Sequence, residues 1–172
     1  MTQTATAATT GQTGTTRQRR LDLLGLLARL VLGLVLVWAG LTKVGDPLGS
    51  ARSVMAYEIF PWEISRIIGY ALPITEIVLG LLLLAGIFTR ALGIVTALLW
   101  IAFIAGIISA WSRGLQIDCG CFGKGGALAP GEKPQYFWEV VRDVGLLLSS
   151  LWLAWRPRSL LSADRGLWGT GS

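Results

Sequence analysis

The chain has 172 residues, 53% of them hydrophobic and 15% charged, with a mean hydropathy of +0.61 and no histidine. This balance excludes an ordinary soluble globular domain and places the chain in a bilayer. The net charge of +5 does not point to nucleic acid, because the basic residues gather mostly at the ends of apolar runs, a pattern of membrane topology.

Residues 1–16 carry no charge and no apolar period, and with the arginines that follow they read as a disordered cytoplasmic segment, 1–20. Leu21 to Leu41 is the first apolar run. It is too long for the ~7–15-residue apolar region of a signal peptide and reads as an uncleaved span. Pro47 stops it. Leu48 to Arg66 mixes Arg52, Glu58 and Glu63 with aromatic and aliphatic residues, which suits either a short interfacial helix around Leu48 to Tyr57 or a solvated loop.

Ile67 to Ile87 and Ala91 to Trp111 are the second and third spans, and the short Phe88-Thr89-Arg90 link makes them an antiparallel hairpin. A polar, glycine-rich loop, Ser112 to Gln135, precedes a fourth span, Tyr136 to Trp155, whose first two turns carry Glu139, Arg142 and Asp143. The expected fold is therefore an all-α integral membrane protein, a four-helix bundle over residues 21–157 with a flexible cytoplasmic tail, 158–172.

Four spans put Arg17, Arg19, Arg20, Arg90, Arg156 and Arg158 on one side, which should be cytoplasmic, and the long loop on the other. Trp62, Trp111, Trp138, Trp152 and Trp155 fall near the expected interfaces.

Both cysteines lie in that loop, in Asp118-Cys119-Gly120-Cys121-Phe122-Gly123, followed by Lys124. Cys119 and Cys121 admit three readings. A passive staple gains little, because so small a ring removes little chain entropy. A zinc site would need ligands from a second subunit. A redox dithiol fits best, since a tight ring is strained and labile, and an extracytoplasmic loop is where disulfides persist.

Three motifs together carry a resemblance: Gly40-Leu41-Thr42-Lys43, Pro73-Ile74-Thr75-Glu76 and the cysteine hexapeptide. The chain resembles the methylamine utilisation protein MauE family, within the wider DoxX-like group. The resemblance implies a four-helix membrane protein that assists maturation of exported, disulfide-rich proteins together with a thioredoxin-like partner. It implies Cys119 and Cys121 as the redox pair and Lys43 and Glu76 as motif positions without an assigned role.

One cysteine pair and none in the spans speak against a self-contained relay and for direct exchange with a partner's thiols, with a quinone as the candidate electron acceptor. The competing class is a non-catalytic membrane subunit that docks a soluble oxidoreductase. Arg29, Glu76 and Arg142 fall within spans and must be paired or wet. Helical spacing lets Glu139 or Asp143 satisfy Arg142, which leaves Arg29 as the expected partner of Glu76. Lys43 is expected to stay solvated near the surface, able to lean over the cysteine loop.

Overall fold

The computed structural model describes residues 10–120, 125–129 and 131–156, with side chains from Arg17 onward. Five helices and one small hairpin follow in order: α1 (Thr10–Val44), α2 (Pro47–Ala56), α3 (Trp62–Ala85), α4 (Thr89–Ser112), β1 (Ile117–Asp118), β2 (Gly126–Ala127) and α5 (Tyr136–Trp155). Among the described residues three helices are long and apolar enough to cross a membrane, Arg17–Val44 of α1, α3 and α4. With 20 residues α5 has the length, about 30 Å at 1.5 Å per residue, but its charged first turns set it apart.

Helix ends follow from local chemistry. Asp46 caps α2, accepting a hydrogen bond from Gly49 N–H at 2.8 Å, with Pro47 in the first turn where its missing donor costs nothing. Gly86, left-handed at φ 72°, closes α3 and turns the chain into α4. The start of α1 corrects the sequence expectation. Its helix begins at Thr10, so Arg17, Arg19 and Arg20 are helical and exposed, because extending a formed helix is far easier than nucleating one. Residues 1–9 and the tail from 157 lie outside the described residues.

Packing is inverted relative to a soluble bundle. Leu34, Ile67, Leu98 and Leu148 face outward, each 60–66% exposed, while Ser65, Thr89, Thr96 and Ser150 are fully buried. Thr96 and Ser150 turn their hydroxyls back onto carbonyls of their own helices, so they are buried without an orphaned donor. Small residues let the backbones approach. A methyl on Gly80 would lie 2.7 Å from the Gly33 carbonyl oxygen, and one on Gly93 would lie 2.7 Å from the Ala154 nitrogen. These contacts lock α1 to α3 and α4 to α5. Gly69 likewise seats the buried Ala51 of α2 against α3. The helices α3 and α4 barely touch, although a three-residue turn joins them. The bundle is therefore open along that seam, and a cavity occupies the opening.

Candidate functional site

The Cys119 loop is built onto the bundle from three sides. β1 and β2 pair antiparallel, Ile117 opposite Ala127 and Asp118 opposite Gly126, which pinches the loop at its base. Tyr136 at the start of α5 anchors that base, its hydroxyl donating to the Leu115 carbonyl at 2.6 Å and accepting from Ile117 N–H at 3.3 Å. Gly120 and Gly125, both at positive φ, lie against Ser53 of α2, where a methyl on Gly125 would meet the serine oxygen at 2.4 Å. Only glycine fits there. The Tyr57 hydroxyl donates to the Cys119 carbonyl at 3.0 Å, the Tyr57 carbonyl accepts from Arg113, and Asp118 Oδ1 accepts from Gly120 N–H at 2.8 Å.

Cys119 is thereby held half-buried over the start of α5. Its Sγ lies 3.7 Å from Arg142 Nη2, and the Glu139 carboxylate is within hydrogen-bonding reach of the Cys119 thiol and backbone N–H. Arg142 is oriented by Asp143, whose Oδ1 accepts from Nε and pairs with Nη2, both at 2.8 Å. The fully buried Asp143 in turn lies within electrostatic reach of Lys43. Asp118, Cys119 and Glu139 present three donor atoms within 4.8 Å of one another, one short of zinc's usual four, and the guanidinium against the sulfur opposes a dication.

Glu76 is paired with Lys43, not with Arg29. Lys43 Nζ donates to both carboxylate oxygens at 2.8 and 2.9 Å, and the two side chains are only 7% and 1% exposed. The correction has a cause in helix register. Gly33 packs opposite Leu84 and Gly40 opposite Ile77, so the antiparallel α1 brings Lys43 level with the turn of Glu76 and Arg29 level with the far end of α3. A methyl on Gly40 would lie 2.6 Å from the Pro73 carbonyl. The Gly-x-x-Lys and Pro-x-x-Glu motifs are thus one contact, in which glycine brings the backbones close enough for lysine to reach glutamate. Lys43 is buried, not solvated as expected, yet it does line the cavity that reaches the cysteine loop.

A family model described as methylamine utilisation protein MauE matches residues 21–156. The chain belongs to the MauE family. No curated protein and no solved structure matches it. The matched region runs from the start of the apolar part of α1 to the end of α5 and so takes in every contact described above.

Of the residues singled out in the sequence of this MauE-family chain, Lys43, Glu76, Asp118, Cys119, Gly120, Arg142 and Asp143 converge on the loop end of the bundle. Arg29, although buried, does not. It shares a face of α1 with Asp22, two turns away, which is paired with Arg156 at 3.6 Å. Cys121, Phe122, Gly123 and Lys124 lie outside the described residues. Sequence reasoning missed Glu139 as a neighbour of the sulfur and Tyr57 and Ser53 as supports of the loop. The Glu139-x-x-Arg142 spacing was the available signal, since it puts both side chains on one helix face.

Proposed function

We propose that this protein is a membrane thiol-disulfide redox component in which Cys119 and Cys121 exchange with the thiols of an exported protein or a thioredoxin-like partner. In this reading α5 is a fourth span, α2 lies at the membrane surface, both termini are cytoplasmic and the cysteine loop is outside. The supporting observation is the placement of Cys119 between a guanidinium and a carboxylate. A polar cleft lies on that side, lined by Asp118, Glu132, Lys133, Trp138, Glu139 and Arg142. Trp138 is 66% exposed at the cleft and is the kind of aromatic anchor that protein partners use.

The chemistry follows from those neighbours. A partner thiolate attacks Cys121 of the Cys119–Cys121 disulfide, the ring S–S bond breaks, and Cys119 leaves as a thiolate against Arg142. The partner's second thiol then resolves the mixed disulfide, and Cys121 leaves. The partner has gained a disulfide, and the chain holds a dithiol once two protons are taken up, with Glu139 placed to pass one to Cys119. Arg142 favours the leaving of Cys119 in the first step, which makes Cys121 the sulfur that meets the partner.

Thiol trapping tests the reading. Cys119→Ser should accumulate a mixed disulfide through Cys121, and Cys121→Ser should accumulate much less. Undiminished disulfide formation in exported proteins of cells carrying both serine changes would falsify the redox role and favour the docking-subunit reading.

A further inference from the structure

Cys119 also borders a second, quite different space. A cavity of about 340 Å³ fills the opening between α3 and α4, within the ~300–1,000 Å³ range of small-molecule sites. Its walls are apolar, among them Ile68 and Leu72 of α3 and Leu99 and Phe103 of α4, with Cys119 and Gly120 on the loop side and Lys43 among them. The α3 and α4 walls belong to helices able to cross a membrane, with α2 and the segment after it closing the loop side, and the sparse packing between α3 and α4 gives a hydrophobic molecule a route from lipid.

The hydroxyls of Ser50, Ser53 and Tyr57 on this wall donate to backbone carbonyls, and Lys43 is the charged group that borders the space. The Lys43 ammonium has three N–H donors, two of which bind Glu76. The third finds no hydrogen-bond acceptor among the described residues, and Nζ lies 5.9 Å from the centre of the Phe103 ring. An acyl chain has nothing to offer that donor. A flat molecule with a carbonyl oxygen does, and it can lie against Phe103.

We propose that this cavity binds the ring of a membrane-soluble quinone, with Lys43 donating to one carbonyl, and that the quinone is the acceptor that reoxidises the cysteine pair. The inference rests on the redox reading above and names its electron acceptor. The Cys119 and Cys121 thiols give up two electrons and two protons, their S–S bond forms, and both carbonyl oxygens of the quinone become hydroxyls of the quinol. The lysine stabilises negative charge on the oxygen it binds as the ring is reduced. Cys119 thus borders the apolar cavity proposed for a lipid-soluble oxidant, while its neighbours Glu139 and Arg142 line the polar cleft proposed for a protein.

The test uses the full chain in detergent with decylubiquinone. Saturable binding is expected, weakened at least ten-fold by Ala102→Phe, which fills the cavity from its α4 wall, and roughly ten-fold by Lys43→Met/Glu76→Met, which removes the charged donor without stranding its partner. Reduced protein should yield about one quinol per chain, and Cys119→Ser/Cys121→Ser should bind the quinone and yield none. Binding that is absent, or unchanged in the well-folded Ala102→Phe protein, overturns the site. Binding without quinol formation overturns the acceptor role. If a mixed disulfide is still trapped in either case, the redox reading stands and only the quinone falls.

Discussion

Lys43 and Glu76 can be removed together more safely than one at a time. Each is buried, each satisfies the other, and a single truncation leaves a charge in a low-dielectric interior, a loss of ~3–5 kcal/mol. Glu76→Leu and Lys43→Met should each lose stability on that scale in mixed micelles, Glu76→Gln should lose less because its amide still accepts a hydrogen bond, and the double change Lys43→Met/Glu76→Leu should recover most of the loss. A double-mutant cycle with strictly additive losses argues against the pair. Both residues were legible as motif positions, but their partnership was not. Counting depth along separate helices matched Glu76 to Arg29, whereas the Gly40–Pro73 contact sets the register that decides it. Glu139 was misjudged for a related reason, being weighed only as a partner for Arg142, when the loop folds back and brings Cys119 onto it.

At the scale of elements, close backbone approach decides what the helices tolerate. Gly80 has the Gly33 carbonyl 2.7 Å from the site of an added methyl and the Val37 nitrogen 2.9 Å away, so Gly80→Ala forces α1 and α3 apart. Unfolding titrations should show a loss of ~1–3 kcal/mol, the usual cost of overpacking. Gly145 on α5 meets nothing within 4 Å, so Gly145→Ala should be neutral or stabilising by ~0.5–1 kcal/mol, because alanine has the better helix propensity. Equal losses at the two sites would mean that helix propensity, not contact, governs both. The long helices were readable because apolar runs of this length have few other solutions, whereas the composition of Leu48 to Tyr57 suited a helix or a loop equally, and the Asp46 cap with Pro47 in the first turn is what makes α2 a helix. β1 and β2 were not readable, since two-residue strands leave no period in the sequence and depend on where Tyr136 and Ser53 hold the loop.

For the whole molecule, the question is which side of the membrane each end of the bundle faces. Arg17, Arg19 and Arg20 stand exposed at one end of α1, and the exposed Arg90 begins α4 at the same end, where Arg156 follows α5 and pairs with Asp22. The opposite end holds the cysteine loop, with Lys43 buried in an ion pair and Arg113 bonded to the Tyr57 carbonyl. In the proposed topology the positive-inside rule makes the arginine-rich end cytoplasmic and puts the cysteine loop outside. In that topology the exposed Trp111 falls at the loop-side interface and Trp155, 83% exposed, at the other. After mild reduction, a membrane-impermeant thiol reagent should modify the cysteines of intact cells, and a cysteine introduced at Arg90 in a Cys119→Ser/Cys121→Ser background should react only after permeabilisation. The reverse pattern inverts the topology and moves the dithiol to the reducing side, where an oxidant of exported proteins has no substrate.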